Sequence, residues 1–206
     1  MDLNAAEFDQ IAREVFAPVY PIIAEQIKNK TGITKGICLD IGSGSGYLGI
    51  ALAKVTELHV YLFDKSPEML NIAARNIAAS GLDSKIRTLS GDVHNIPLDE
   101  QSIDLVVSRG SIFFWENRPK AFKEIYRVLS PGGCAYIGGG FGTPELKKQI
   151  TETMLKMKKD WPEMVQRNTG KQKEETFKEE LCSAGIPEFK IIRNEMGLWI
   201  VIRRVN

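Results

Sequence analysis

The stretch Asp40-Ile41-Gly42-Ser43-Gly44-Ser45-Gly46 lies between the apolar run Ile37-Cys38-Leu39 and a helical pattern over residues 48–55. Glycine tolerates positive φ and lets a ligand approach the backbone closely, so the stretch predicts a binding loop between a strand and a helix. In an open α/β sheet, ligands bind at the carboxyl ends of the strands. The stretch therefore predicts both a fold class and the position of a site within it.

Short apolar runs alternate with helical patterns on both sides of this loop. Ser66 is placed to cap a helix that has Pro67 at its first position and ends before Gly81. Regular alternation predicts a parallel sheet with right-handed crossovers. The predicted strands are residues 37–39, 60–63, 86–89, 103–107 and 135–137, the predicted helices are 48–55, 66–80 and 121–129, and residues 189–193 and 199–202 are predicted to form an antiparallel hairpin at the edge.

Composition and charge exclude several classes of protein. The 206 residues include 27 basic and 26 acidic ones, and a net charge of +1 argues against an obligate nucleic-acid binder. The sequence has no run of 18 apolar residues, so no membrane span is predicted. The amino terminus lacks the basic region of a signal peptide. The three cysteines lie far apart in apolar contexts and are predicted to be buried free thiols, so no metal site and a cytoplasmic location are expected.

The glycine loop resembles the first motif, D/E-x-G-x-G-x-G, of the class I S-adenosylmethionine-dependent methyltransferases. Further family features follow in order: Asp64 at the end of the second strand, Asp92-Val93 after the third, residues 103–108, and a helix that leads into Pro131-Gly132-Gly133. These matches cover about residues 36–140. Within the family, the chain is most similar to the small type 11 enzymes, which include ubiquinone- and menaquinone-pathway methyltransferases.

A competing interpretation of the loop comes from its second half. Residues 44–49 also satisfy the dinucleotide pattern G-x-G-x-x-G, which indicates a nicotinamide-dependent oxidoreductase. That pattern places its first glycine directly after the strand, whereas Gly44 comes after Asp40 and Gly42. The Asp40 carboxylate would repel a pyrophosphate but not a sulfonium methionine with its α-ammonium.

The resemblance implies a fold, a cofactor and a set of binding residues. The implied fold is a Rossmann-like, doubly wound, mostly parallel seven-stranded α/β sheet with an antiparallel last strand. The implied cofactor is S-adenosyl-L-methionine, with S-adenosyl-L-homocysteine as product. The resemblance assigns Asp64 to the ribose hydroxyls, Asp92 to the adenine amine and Val93 to the adenine ring; the full implied set is Asp40, Gly42, Ser43, Gly44, Gly46, Asp64, Lys65, Met69, Gly91, Asp92, Val93, Ser108 and Arg109. Alternatively, Asp64 caps the following helix and Asp92 is an ordinary turn residue.

We expect one domain over residues 1–206. Residues 1–32 are predicted to be two helices, bent at Pro18 and Pro21, that form a lid over the cofactor. Residues 33–142 form the cofactor-binding core, and residues 143–206 form helices and the terminal hairpin. Tyr20, between the two prolines, is the lid residue expected to face the cofactor; packing on the sheet is the alternative.

The acceptor is expected to be a small or medium-sized molecule, anionic or aromatic. Methyl transfer from a sulfonium is an in-line displacement in which positioning supplies much of the acceleration, so no catalytic residue is assigned. Arg109 either binds an anionic acceptor or is a loop cation that faces solvent or Glu116. The run Phe113-Phe114-Trp115 either packs in the core or offers Trp115 for stacking on a flat acceptor. His94 is expected near the adenine, and a non-catalytic S-adenosylmethionine-binding domain is a third interpretation of the chain.

Overall fold

A twisted seven-stranded sheet forms the centre of the fold in a computed structural model that describes residues 4–205. In chain order, the strands are β1 (Lys35–Ile41), β2 (Glu57–Asp64), β3 (Ile86–Ser90), β4 (Ile103–Arg109), β5 (Leu129–Gly140), β6 (Phe189–Asn194) and β7 (Gly197–Arg203). The helices are α1 (Ala5–Glu14), α2 (Val19–Thr31), α3 (Tyr47–Val55), α4 (Pro67–Ser80), α5 (Arg118–Val128), α6 (Pro144–Met157), α7 (Trp161–Thr169) and α8 (Lys171–Ser183), with a short 3-10 turn at Ser111–Phe114.

The strand order is β3-β2-β1-β4-β5-β7-β6. Strands β1 to β5 pair in parallel, and β7 runs antiparallel to both β5 and β6. This topology confirms the predicted Rossmann-like sheet with its reversed last strand. The order reverses between β1 and β4, so the switch point at which such sheets bind ligands lies beside the glycine loop.

Alternate residues of each strand pack against helices on opposite faces of the sheet. Cys38 and Leu105 belong to the core that α2, α3, α4 and α6 cover, whereas Leu39 and Val106 belong to the core that α5 and α8 cover. A parallel sheet is buried on both faces, which explains why its central strands are nearly continuous apolar runs.

Local chemistry fixes the predicted helix ends. The Ser66 hydroxyl accepts a hydrogen bond from the Met69 amide (3.3 Å), and Gly81 adopts φ of +66° at the end of α4. The predicted bend of the first segment lies between α1 and α2. Pro21 is tolerated because it occupies the first turn of α2, where its missing N–H has no partner within the helix.

Three features differ from the sequence prediction. Residues 130–133, expected to be a turn, lie within β5, because Leu129 pairs with Ile103 and a register shift accommodates the extra residues. The polar stretch after α6 contains α7, which was not predicted. Cys182 is exposed rather than buried, because Leu181 and Phe177 are the α8 residues that face the core.

Two kinds of feature are absent from residues 4–205. No helix in this range is long and apolar enough to cross a bilayer. The same residues contain no group of three or more histidine, cysteine, aspartate or glutamate side chains arranged to hold a metal ion.

Candidate functional site

The glycine loop after β1 folds back on the end of β2. The amides of Gly42 and Ser43 both donate to the Phe63 carbonyl, at 2.8 and 3.1 Å, and Gly46 donates to the Ser43 carbonyl at 2.9 Å. Gly42 and Gly44 have φ of +63° and +54°. A Cβ on Gly42 would collide with Ser111, whereas a Cβ on Gly44 would meet no atom within 4 Å. Gly44 therefore borders open space, as a ligand-binding loop requires.

Asp64 joins this loop to the next helix. Its Oδ2 accepts from the Gly44 amide and its Oδ1 accepts from the Ser66 amide, both at 2.9 Å. Asp64 does not cap α4, because Ser66 is the N-cap; Asp64 instead holds the turn before the helix and tethers the loop. Each oxygen retains a lone pair that can accept a further bond. Lys65 is exposed beside Asp64, and Met69 is partly buried in the first turn of α4.

Asp40 lies below the loop rather than in it. Its carboxyl is buried and accepts from the Gly49 amide at 2.9 Å. Burial raises the pKa of Asp40 to about 8; the Gly49 bond lowers this pKa and the negative charge of Asp64 raises it further. The carboxyl therefore keeps its proton near neutral pH in the free protein, and a cationic group brought beside it would favour the charged form.

The loop after β3 is organised by a pair of side chains. One oxygen of Asp92 accepts from the His94 amide (2.8 Å) and pairs with His94 Nδ1, and these contacts lower the pKa of Asp92. His94 Nε2 accepts from the Asn117 amide at 3.2 Å, which assigns the ring proton to Nδ1. The other Asp92 oxygen has no protein partner within residues 4–205. Val93 is buried beside it, and Gly91 approaches the Phe63 ring so closely that a Cβ would overlap it.

Sequence reasoning missed Ser111, which links β1 to β4. Its hydroxyl donates to the Ile41 carbonyl (3.0 Å), contacts the Ser108 hydroxyl (2.6 Å) and accepts from Trp115 Nε1 (3.2 Å). Gly42 lies directly against it. Ser108 and Trp115 are close in the sequence, but Ile41 lies 70 residues away, so no local pattern marks this link between β1 and β4.

Arg109 lies beneath aromatic rings of the amino-terminal segment. Its Nε donates to the Gly140 carbonyl at 3.1 Å, and its guanidinium carbon lies 4.9 Å from the Phe16 ring centre and 5.4 Å from that of Tyr20. It is partly buried, and burial lowers its pKa. The prediction that it faces solvent or pairs with Glu116 is wrong, because Phe16, in the link between α1 and α2, and Tyr20 of α2 cover it.

The aromatic run after β4 divides between core and surface. Trp115 is 7% exposed and packs edge-on against Phe122, and Phe113 stacks on Phe177. Both lie on the α5–α8 face, so the predicted stacking of Trp115 on an acceptor is wrong. Phe114, in contrast, is 74% exposed. The run is therefore mostly core, as one of the two interpretations held.

The aromatic side of the site comes from the amino-terminal helices. Tyr20 packs against Tyr47, with ring centres 5.5 Å apart, and the Tyr47 hydroxyl donates to Asp9 at 3.0 Å. Burial raises the pKa of Tyr20, which Arg109 lowers and Asp40 and Asp9 raise. Tyr20 thus lies among the charged groups of the site and keeps its proton. Asp9 of α1 and Tyr20 of α2 therefore contact residues near the carboxyl edge of the sheet, and a lid role for the two helices stays a prediction.

The predicted site residues lie in two groups along the carboxyl edge. The loops after β1, β2 and β3 bring together Gly44, Asp64 and Asp92, and Ser108 and Arg109 end the adjacent strand β4. Asp104, which belongs to the fourth family feature, lies at the opposite end of the sheet. It accepts from the Ile37 amide (2.7 Å) and the Ser130 hydroxyl (3.0 Å), so its role is structural.

The residues along this edge fit an adenosyl amino acid. Free acceptor capacity on Asp64 and Asp92 suits ribose hydroxyls and an exocyclic amine, the space at Gly44 is open, and Asp40 offers a carboxylate to a cation. The Ser43 hydroxyl is buried without a hydrogen-bond partner among the described residues, which leaves one polar group of the loop available. A dinucleotide pyrophosphate at this loop would instead lie against the Asp64 carboxylate, which already accepts from the Gly44 amide.

Comparisons with known proteins agree with this fit. A family model described as "Methyltransferase domain" matches residues 39–137. The chain is 35% identical over 111 residues to a Bacillus subtilis protein named uncharacterized methyltransferase YdaC, covering 53% of this chain and 59% of that protein. It is 36% identical over 99 residues to the demethylmenaquinone methyltransferase of Chlorobaculum tepidum, covering 48% of this chain and 38% of that enzyme. The chain thus spans less than two thirds of these two curated relatives.

A solved structure matches over the full length. It is the 1.15 Å crystal structure of a Methanococcus maripaludis protein described as a candidate S-adenosyl-L-methionine-dependent methyltransferase. The two chains share 45% identity with a TM-score of 0.96, and the match covers 100% of this chain and 98% of the other.

Proposed function

Because the chain belongs to the S-adenosyl-L-methionine-dependent methyltransferases, we propose that it is an enzyme that transfers the methyl group of this cofactor to a small-molecule acceptor. The observation that carries the proposal is the row of free polar groups along the carboxyl edge, centred on the open Gly44 loop and the Asp64 carboxylate. The fold and the family fix the cofactor. The acceptor and the roles of individual residues are our proposals.

We assign each part of the cofactor to one of three neighbouring loops. Loops that hold Asp92, Asp64 and Gly44 follow β3, β2 and β1, which are consecutive neighbours in the sheet. We assign the adenine to Gly91, Asp92 and Val93, the ribose to Asp64, Lys65 and Met69, and the methionine part to Asp40 and residues 42–46. Ser108 and Arg109, at the end of β4, then border the methyl group.

The protein contributes binding and orientation in this proposal. Bound S-adenosyl-L-methionine supplies an electrophilic methyl carbon on a sulfonium with a neutral thioether as leaving group. Asp64 and the Gly44 amide fix the loop, Asp40 offsets positive charge, and α1 and α2 exclude water above the edge. Holding two reactants in line contributes several kcal/mol of the barrier reduction. No general base is assigned, because the Nε2 of His94 already accepts from the Asn117 amide.

Other features of the chain support a small acceptor. The net charge of +1 lacks the basic excess that is typical of nucleic-acid-binding domains. The nicotinamide-dependent alternative is disfavoured by the spacing of the loop, because Gly44 follows Asp40 and Gly42 rather than coming directly after the strand. We also propose a cytoplasmic location and a single domain whose lid, cofactor-binding core and carboxy-terminal part meet at residues 32 and 142.

A methyltransferase, a nicotinamide-dependent oxidoreductase and a non-catalytic binding domain differ in the ligands that they bind and in turnover. Calorimetric titration of the protein should show binding of S-adenosyl-L-homocysteine and none of NAD or NADP; the reverse would favour an oxidoreductase. A protein that binds S-adenosyl-L-methionine but never converts it to S-adenosyl-L-homocysteine in the presence of metabolites would be a non-catalytic binding domain. Turnover of methyl-labelled S-adenosyl-L-methionine distinguishes the two.

A further inference from the structure

The Arg109 side chain is hydrogen-bonded at Nε but not at its two terminal nitrogens. Its Nε donates to the Gly140 carbonyl, and Phe16 and Tyr20 cover the guanidinium through cation–π contacts. Its two terminal nitrogens have no hydrogen-bond partner in residues 4–205. Neither nitrogen is completely buried. No carboxylate forms an ion pair with Arg109 within that range. The forked end of the side chain is therefore partly buried, and no anion among residues 4–205 compensates its charge.

A second donor without a partner lies on the same aromatic cluster. Trp161 of α7 packs against Phe16, with ring centres 6.1 Å apart, and its Nε1 is buried with no acceptor among the described residues. Leaving a buried donor unpaired costs about 1–3 kcal/mol. Phe16 thus contacts two side chains that each offer unpaired N–H groups, and the aromatic rings around them give a ligand an apolar surface.

The third observation is the position of Arg109 in the sheet. Parts of the cofactor are assigned to β3, β2 and β1 in that order, and β4 is the next strand in the row. Arg109 ends β4 on the face covered by α1 and α2 and pairs in register with Gly138 of β5. It lies beyond the methionine part, on the side where the acceptor must enter.

We propose that Arg109 binds an oxyanion of the methyl acceptor, a carboxylate or a phosphate, while Phe16, Tyr20 and Trp161 form an aromatic wall around it. The inference rests on the function proposed above and names the class of its substrate. A guanidinium is a planar fork that matches such oxyanions with two parallel hydrogen bonds. An anion there also offsets the positive charge that Arg109 would otherwise present to a sulfonium.

A matched pair of probes tests the charge requirement. Benzoate and benzamide have the same ring and nearly the same shape, but only benzoate is an anion, and inorganic phosphate serves as the alternative oxyanion. With the protein saturated by S-adenosyl-L-homocysteine, benzoate or phosphate should raise the melting temperature of the wild type in a concentration-dependent way, and benzamide should not. Equal stabilisation by benzoate and benzamide, or stabilisation by neither benzoate nor phosphate, would overturn the proposal.

Variants then assign the effect to Arg109. Arg109→Met should weaken the binding of the stabilising oxyanion by at least about tenfold, as loss of charge-assisted hydrogen bonds requires. It should leave the affinity for S-adenosyl-L-homocysteine within about twofold. Arg87→Met, at an exposed arginine of β3, is the control and should change neither affinity. Arg109→Gln, whose amide can still donate to Gly140, replaces the methionine variant if that variant is poorly folded.

The remaining outcomes separate this inference from the proposed function. A large loss of S-adenosyl-L-homocysteine affinity in Arg109→Met would place the guanidinium on the cofactor and refute the inference. Turnover supported only by the fraction of a metabolite extract that an anion exchanger does not retain would also refute it. If no fraction supports turnover, the proposed function fails, and the benzoate and phosphate titrations still decide whether Arg109 is an oxyanion site.

Discussion

The carboxylate of Asp64 accepts a hydrogen bond from the backbone amide of Gly44, 20 residues earlier in the chain, at 2.9 Å. The bond joins the end of β2 to the loop after β1 and holds that loop in the conformation that leaves space at Gly44. Because the second Asp64 oxygen accepts from the amide of Ser66, the N-cap residue of α4, one side chain contacts both the loop and the start of the helix that flank the proposed cofactor site.

Asp64→Ala should therefore reduce both cofactor affinity and stability. Removing two charge-assisted bonds to the ribose, each worth about 1.5–3 kcal/mol, predicts at least a tenfold loss of S-adenosyl-L-homocysteine affinity by calorimetry. The amides of Gly44 and Ser66 lose their acceptor, so the melting temperature should also fall. Asp83→Ala, at an exposed acid, is the control for both values. A lower melting temperature with an unchanged dissociation constant would limit Asp64 to the tethering role.

Gly44→Val tests whether the open space at the loop belongs to a ligand. Gly44 and Gly81 both have positive φ, +54° and +66°, and a Cβ on either would meet no protein atom within 4 Å. A non-glycine residue in this conformation costs about 1–2 kcal/mol, so both valine variants should lose similar stability. Only Gly44→Val should lose S-adenosyl-L-homocysteine binding. Equal binding by the two variants would place the ligand elsewhere.

Asp40→Asn should change how stability depends on pH. The pKa of Asp40 is raised from 3.8 to about 8 by burial, so between these values the folded protein keeps a proton that the unfolded chain releases. This group therefore makes the wild type lose stability as the pH rises from about 4 to about 8. An asparagine can still accept from the Gly49 amide and does not titrate.

The expected result is that Asp40→Asn gains melting temperature relative to wild type as the pH rises through that window, with little difference at its lower end. Asp83→Asn should follow the wild-type curve throughout. Parallel curves for wild type and Asp40→Asn would show that the Asp40 carboxyl is already charged in the folded protein.

Ser111→Ala should loosen the contact between β1 and β4. The change removes three hydrogen bonds and leaves the buried Trp115 Nε1 without its acceptor, so we expect the free energy of unfolding in urea to fall by about 1–3 kcal/mol. Ser183→Ala removes an exposed serine whose hydroxyl bonds only to a backbone carbonyl of its own helix, and it should change little. A cost for Ser111→Ala no larger than for Ser183→Ala would contradict the linking role.

Local patterns explain which parts of the fold the sequence predicts. The caps of α4 and the apolar runs of β1, β2 and β4 depend on neighbouring residues alone, and the structure has them where they were expected. The extension of β5 through Pro131 depends instead on pairing with β4, which no local pattern encodes. The same reason explains why α7, in a polar stretch, was missed.

Within the site, the predicted acids and glycines meet at one edge because parallel strands end there. The surroundings of the individual side chains were not predictable, because each depends on a tertiary contact. Asp40 is buried under the loop, and Arg109 is covered by Phe16 and Tyr20 only when α1 and α2 dock on the sheet. Ser111 has no distinguishing sequence context at all.

The most direct test of the central claim is turnover of methyl-labelled S-adenosyl-L-methionine with a low-molecular-weight extract of the organism's own cells. Mass spectrometry would follow both S-adenosyl-L-homocysteine and any labelled small molecule, with wild type and Gly44→Val in parallel. We predict that the wild type forms S-adenosyl-L-homocysteine and one labelled small molecule in equal amounts, and that Gly44→Val forms neither. A wild-type protein that binds the cofactor yet yields no S-adenosyl-L-homocysteine above the variant's background would contradict the proposal that this chain is a methyltransferase of small molecules.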